Sequence, residues 1–285
     1  MDETKCLGTG RIPARRLCTS RHQAAAQLCR RSVNKAQNPK AGARRVRHAS
    51  SAQQRPGSRG LRQLYAYLSH RGRQAIMTVL DTLEETGLTN DTIILRFADH
   101  GEGGLSHGMR EKAYTAYEEM IHVPMIVHNP KLYPEPLETS AFYDHRDLLP
   151  TILDLAGIPD PESYGIGKSV FPVIRNPSQS VKDHTIFSYD DVFFLPPSVS
   201  GGHIRAVREG DWTYAVYFGL DGSGLEYELY NIKNDLGQMT NLLHGTPIRD
   251  TKQEWARLHK KLTDELVVSA NLPNDFAWPL QPALA

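Results

Sequence analysis

Residues 92–102 read Thr-Ile-Ile-Leu-Arg-Phe-Ala-Asp-His-Gly-Glu. The nearly continuous apolar run from Thr92 to Phe97 is typical of a strand in a parallel sheet that is buried on both faces. Sheets of this kind bind ligands outside the carboxyl ends of their strands. Asp99 and His100 follow the run directly, so we predict a buried parallel strand that presents a carboxylate and an imidazole to a cleft.

An aspartate followed at once by a histidine offers an oxygen and a nitrogen donor to one cation. The turn that carries them also contains Gly101, Gly103 and Gly104, which have no side chains to crowd a ligand. We therefore expect Asp99 and His100 to bind a divalent metal ion.

The order of motifs after the strand resembles the second signature region of the sulfatases, in the alkaline-phosphatase superfamily. The resemblance extends from about residue 63 to the end of the chain. Its segments are Phe97–Glu102, Leu105–Gly108, Glu111-Lys112, Tyr117–Glu119, His122–Val127, Asp147–Ile158, Gly167–Val170, Gly210–Tyr214 and Glu228–Asn231.

The resemblance implies a hydrolase of sulfuric ester bonds that acts on a small-molecule sulfate ester. It implies that Asp99 and His100 hold calcium, and a site with one neutral nitrogen ligand also leaves magnesium and manganese open. Lys112 matches the lysine that contacts the sulfate in this family. His107, in the loop between them, is a candidate to line the pocket or to donate a proton.

Two sulfatase motifs are missing from the sequence: an Asp-Asp metal pair and the Cys-x-Pro-x-Arg or Cys-x-Ala-x-Arg segment whose cysteine becomes formylglycine. The segment from Cys18 to Arg21 has its arginine one place early. We therefore expect a truncated and inactive sulfatase. Two alternatives stay open: a phosphonate or phosphate ester hydrolase of the same superfamily, and a non-catalytic fragment or pseudoenzyme.

Residues 1–62 differ sharply in composition from the rest of the chain. They contain 15 lysine or arginine residues, 2 acidic residues and all three cysteines, whereas residues 63–285 contain 18 basic and 30 acidic residues. Because long apolar runs are also missing, we expect a disordered basic extension. It could be a targeting peptide, a segment that binds nucleic acid without sequence specificity, or the product of a misassembled coding sequence.

The remaining residues predict an α/β fold, part of an alkaline-phosphatase-like sandwich, over 63–177. A small C-terminal α+β subdomain follows over 178–285. The predicted helices are 64–86, 113–120, 147–156 and 248–270, and the predicted strands are 92–97, 123–127, 186–189, 204–208, 212–217 and 227–232.

No stretch of the sequence is long and apolar enough for a membrane span, and the extension has no apolar core of a secretion signal. The body after residue 62 also has no cysteine. We therefore expect a cytoplasmic protein with no membrane partner and at most non-specific contact with nucleic acid. The sequence leaves the oligomeric state open.

Overall fold

The structure, a computed structural model, describes residues 58–109, 112, 115–159, 165–191, 202–219, 224–269 and 278. Most of the predicted basic extension lies outside the described residues. Residues 58–62, which we had assigned to that extension, form the first turns of a helix instead. Arg59, Leu61 and Arg62 are good helix formers, which fits a helix that begins at Ser58.

The first part of the chain alternates helices and strands. Its elements are α1 (Ser58–Glu85), β1 (Ile94–Phe97), α2 (Glu118–Ile121), β2 (Met125–His128), α3 (Leu148–Ala156) and α4 (Phe171–Arg175). The helices α1 and α3 confirm the predictions over 64–86 and 147–156. Both are followed by a glycine in the left-handed region, Gly87 with φ 71° and Gly157 with φ 66°, which ends a helix without steric cost.

The prediction of a buried parallel strand at 92–97 is wrong in two respects. Strand β1 pairs with β2 in the antiparallel direction, Ile94 opposite His128 and Phe97 opposite Met125. Phe97 is also 44% exposed. Parallel neighbours need a crossover that packs back on the sheet. In the described part of the link between β1 and β2, the helical segments are a 3-10 turn at Ser106–Gly108 and the single turn α2, too short for such a crossover.

The predicted helix over 113–120 is also largely wrong. Only Glu118–Ile121 is helical, residues 115–117 are extended or irregular, and Ala113 and Tyr114 lie outside the described residues. The segment instead forms hydrogen bonds to the C-terminal sheet, which compete with the helical pattern.

The second part of the chain confirms the predicted antiparallel sheet and helix. The strands β3 (His184–Asp191), β4 (Gly202–Glu209), β5 (Trp212–Gly219) and β6 (Glu226–Asn231) pair in sequence order, each antiparallel to the next. The helix α5 (Arg249–Val268) follows. The apolar residues of α5 pack on one sheet face in a core of Val207, Tyr214, Val216, Leu229, Trp255, Leu258, Leu262 and Leu266.

The opposite face of this sheet is also covered. Ile204, Ala206 and Ala215 lie there, and Ala116 from the first part of the chain packs against them. Small residues on β4 and β5 let the 115–118 backbone approach the sheet closely. The C-terminal sheet therefore has α5 on one face and the segment after the predicted site on the other.

Among the described residues, no helix combines the length and the apolar character that crossing a membrane requires.

Candidate active site

Asp99 and His100 lie in the turn after β1, and the hydrogen bonds of His100 determine its tautomer. The ring atom Nδ1 is 2.8 Å from the carbonyl oxygen of Gly101. Because a carbonyl only accepts hydrogen bonds, Nδ1 carries the proton and Nε2 presents a lone pair. Asp99 Oδ2 lies 3.3 Å from that Nε2 atom. The two predicted ligands therefore bring a carboxylate oxygen and an imidazole nitrogen close together.

Lys112 reaches the same point from the other end of the loop. Its ammonium contacts His100 Nε2 and donates a hydrogen bond to the lone pair. The structure thus brings together three of the four residues that the sequence singles out, Asp99, His100 and Lys112. A compact cation already occupies the position where the nitrogen lone pair is directed.

The donor set of Asp99 and His100 fits part of a coordination sphere. Two ligands on neighbouring positions of a divalent ion, each ~2.2–2.4 Å from it, are ~3.2 Å apart. The separation of Asp99 Oδ2 and His100 Nε2, 3.3 Å, agrees with that value. Within the described part of the chain, no group of three or more His, Cys, Asp or Glu side chains could hold a metal ion. These residues supply two ligands of a set that requires more.

Backbone hydrogen bonds fix the turn that carries the two ligands. The N–H of Gly101 donates to Met120 O and the N–H of Glu102 donates to Glu119 O, both at 2.8 Å. A Cβ atom at Gly101 would lie 2.0 Å from Glu119 O. Glycine is therefore required at this position by close backbone contact with α2.

His107 lies apart from the other three residues. Its ring stacks on Tyr117, with centroids 3.7 Å apart, and its backbone is left-handed at φ 52°. Burial lowers the pKa of His107, although the charges of Glu119 and Asp235 act in the opposite direction. Its Nε2 atom is buried and has no hydrogen-bond partner among the described residues. The residues that line the site cleft, as far as the structure describes them, do not include His107.

The cleft itself has a volume of about 1620 Å³. Asp99, His100 and Lys112 line it together with residues of 133–146, α4 and β3. Basic and imidazole side chains also line it: His122, His128, His145, Arg146 and Arg208. Acidic side chains line it as well, among them Glu118, Glu135, Glu138, Asp144 and Asp211, and two of these pair with Arg208 and Arg146.

Two residues of the cleft were missed by the sequence analysis. Arg208 lines the cleft and pairs with Glu118, Nε to Oε1 3.1 Å. Tyr143 has a buried hydroxyl with no hydrogen-bond partner in the described ranges, and burial, with the charges of Asp147 and Asp144, raises its pKa to about 12. Neither belongs to a local motif, so no signal in the sequence identifies them.

Two family models match this chain. The sulfatase model matches residues 20–158, and the model described as N-sulphoglucosamine sulphohydrolase, C-terminal, matches residues 105–267. The first match includes Asp99, His100 and Lys112. It also begins earlier than residue 63, where the motif resemblance was expected to start.

Curated relatives and solved structures agree with these models. The delta 4,5-hexuronate-2-O-sulfatase of Bacteroides thetaiotaomicron is 35% identical over 193 residues, which are 67% of this chain and 37% of that protein. Arylsulfatase K of Danio rerio is 26% identical over 75% of this chain and 39% of its own length. The chain thus spans about two fifths of the length of these relatives.

A solved structure of a protein in complex with its substrate D-glucosamine-2-N,6-O-disulfate has the same fold. It aligns with a TM-score of 0.58 and 25% identity over 71% of this chain and 39% of that chain.

Proposed function

This chain belongs to the sulfatase family, and from that premise we propose that Asp99, His100 and Lys112 form the cation- and sulfate-binding part of a sulfuric ester hydrolase site. The observation that carries the proposal is their convergence on one atom, His100 Nε2. Calcium is the proposed ion, with magnesium and manganese as the other candidates.

Each of the three residues has a distinct proposed role. Asp99 and His100 hold the cation, and the hydrogen bond from His100 Nδ1 to Gly101 orients the ring so that Nε2 faces it. A bound divalent cation supplies positive charge that stabilises the oxygens of a sulfate ester. Lys112 adds a second positive charge beside them, where charge develops during hydrolysis.

His107 is left out of the proposed site. Its ring is stacked on Tyr117, and it does not line the cleft in the described part of the chain. Stacking and burial both favour a neutral ring that packs in the loop.

We propose a sulfated sugar as the small-molecule substrate. One relative is named for a hexuronate-2-O-sulfate group, and the structural neighbour holds a disulfated glucosamine. The cleft, at about 1620 Å³, exceeds the ~300–1,000 Å³ of ordinary small-molecule pockets, so it has room for a sugar ring and its neighbours.

The metal part of the proposal is tested by isothermal titration calorimetry of the purified chain with calcium, magnesium and manganese. We expect one calcium per chain, with binding lost in Asp99→Asn and in His100→Gln. Asp81→Asn is the matched control, because Asp81 is an exposed aspartate on α1. Equal calcium binding by Asp99→Asn and the wild-type chain would show that Asp99 is not a ligand. Binding of two zinc or manganese ions per chain would favour the alternative function, a phosphoesterase.

A further inference from the structure

Gln238, in the turn after β6, has an unusual combination of backbone and side-chain features. Its φ is 48°, in the left-handed region that residues other than glycine and asparagine avoid at a cost of ~1 kcal/mol. It is only 2% exposed. The turn is held by hydrogen bonds from Gln238 N to Asp235 O, 2.9 Å, and from Thr240 N to Asp235 Oδ2, 2.8 Å. A strained backbone of this kind persists only where the surrounding structure holds the residue in place.

The side chain of Gln238 reaches across the molecule to α2. Its Oε1 accepts a hydrogen bond of 2.7 Å from the backbone N–H of Glu118, the first residue of that helix. N–H groups in the first turn of a helix have no partner inside the helix, so a side chain from elsewhere must satisfy them. Gln238 therefore ties the beginning of α2 to the turn after β6, which is the last strand of the C-terminal sheet.

Other groups of the same sheet hold neighbouring atoms of this segment. The Glu118 carboxylate accepts from Arg208 Nε at 3.1 Å and from Thr213 Oγ1 at 3.4 Å. The Tyr217 hydroxyl accepts from Ala116 N at 3.2 Å and donates to Glu228 at 2.7 Å. Gln238 is the member of this set that bonds the backbone of α2 itself.

The helix α2 in turn holds the turn of Asp99 and His100, since Glu119 O and Met120 O accept the N–H groups of Glu102 and Gly101. We propose that Gln238 is a positioning residue for Asp99 and His100, which acts through α2 to keep both ligands directed at one point. This inference rests on the proposed function, because only a metal site gives Asp99 and His100 a reason to be positioned. Its structural content, the coupling of Gln238 to the Gly101 turn, stands on the hydrogen bonds alone.

Two variants break the bond without adding strain. Gln238→Gly removes the acceptor, and Gln238→Asn is one methylene too short to reach Glu118; both residues accept a positive φ. Asn241→Ala is the matched control, because Asn241 lies in the same turn region and its side chain bonds Leu229, Tyr227 and Leu243, away from α2. Circular dichroism first checks that each full-length variant is folded.

The first readout is amide hydrogen exchange, measured by NMR with the amides of β4 and β5 as an internal reference. In both Gln238 variants we expect the amides of Glu118, Gly101 and Glu102 to exchange about fivefold faster, which is the loss of one net hydrogen bond of ~1 kcal/mol. In Asn241→Ala they keep the wild-type rates. Faster exchange at Glu118 with wild-type rates at Gly101 and Glu102 would overturn the proposal.

The second readout is the broadening of the His100 ring signals by manganese. We expect both Gln238 variants to need several times more manganese than Asn241→Ala for the same broadening. Equal broadening in all three would show that Gln238 does not position the ligands. If manganese leaves His100 unaffected in the wild-type chain, the proposed metal site fails, and the exchange rates alone decide whether Gln238 fixes the turn.

Discussion

Gly101 is the residue at which the site and the rest of the molecule come closest. Its N–H donates to Met120 O, and an added Cβ would lie 2.0 Å from Glu119 O. Any side chain at this position must therefore displace the backbone of α2 or the turn that carries His100.

We expect Gly101→Ala to destabilise the protein by ~1–3 kcal/mol, the usual cost of overpacking. The control is Gly72→Ala on α1, where a Cβ has nothing within 4 Å, and which should stabilise by ~0.5–1 kcal/mol because alanine favours a helix. Urea unfolding of both variants measures the change. Equal stability of Gly101→Ala and the wild-type chain would show that the close contact with Glu119 is not real.

The residues of the site could be predicted from the sequence where they are local, and not otherwise. Asp99 and His100 are adjacent, and Lys112 follows in the same loop, so a motif contains all three. Tyr143 and Arg208 reach the cleft only through tertiary packing. The position of His107 depends on a left-handed backbone and on stacking with Tyr117, neither of which a sequence pattern reveals.

At the scale of elements, the C-terminal half was predicted well because its patterns are regular. The alternation of β3 to β6 and the helical spacing of Leu258, Leu262 and Leu266 identify a sheet and its packed helix. The apolar run of β1 did not predict its burial correctly, because the burial of a strand depends on the elements that pack against it. Within the described residues β1 has only β2 beside it, and Phe97 stays partly exposed.

A buried ion-pair group ties the start of α3 to the segment before β3. Lys182, whose side chain is 7% exposed, bonds Asp144 at 2.8 Å and also contacts Asp147. Burial by itself raises the pKa of Asp144, but hydrogen bonds from Arg146 and Lys182 outweigh it and hold the pKa below its ordinary value of 3.8. The stability that this carboxylate contributes is therefore present above pH 3.8 and is lost as the pH falls below that value.

We expect Lys182→Met to lower the free energy of unfolding by ~3 kcal/mol at pH 7, because it leaves the buried Asp147 carboxylate without its cation and removes one of the two cations that pair with Asp144. The difference from the wild-type chain should shrink as the pH falls below 3.8, because the ion pair between Lys182 and Asp144 is lost as that carboxyl takes up a proton. Denaturant unfolding at pH 7 and at pH 3 measures this difference in the free energy of unfolding.

Lys260→Met, which removes an exposed pair with Asp264, is the control and should cost less than ~1 kcal/mol. A loss in Lys182→Met that is the same at both pH values would contradict the ion-pair explanation.

At the scale of the whole molecule, the two parts of the chain differ in how well they are covered. The C-terminal sheet has both faces packed, whereas apolar side chains of α1 and of the β1–β2 pair are exposed, among them Leu64, Tyr67, Leu68, Phe97 and Ile126. The turn of Asp99 and His100 lies in the first part of the chain, whose apolar side chains are more exposed. Hydrogen bonds from the well-packed C-terminal part hold α2, which contacts that turn. The predicted domain division at residue 178 stays a prediction.

For the 285-residue polypeptide we expect no hydrolysis of aryl sulfate above background, because no formylglycine motif is recognisable in its sequence. The measurement is turnover of a chromogenic aryl sulfate by the purified chain with calcium, with chromogenic phosphonate and phosphate esters as parallel substrates. Metal-dependent turnover that Asp99→Ala abolishes would contradict this prediction while supporting the assignment of Asp99. If the chain hydrolyses the phosphonate or phosphate ester but not the sulfate ester, the result would favour the alternative function, a phosphonate or phosphate ester hydrolase.

The most direct test of the central claim is to locate a bound ion. A crystal of the chain grown with manganese, recorded at a wavelength where manganese scatters anomalously, shows where the metal binds. We predict a peak within ~2.5 Å of both an Asp99 carboxylate oxygen and His100 Nε2, with the Lys112 ammonium moved off that nitrogen. A peak elsewhere, or none while Lys112 stays on His100 at saturating manganese, would contradict the account.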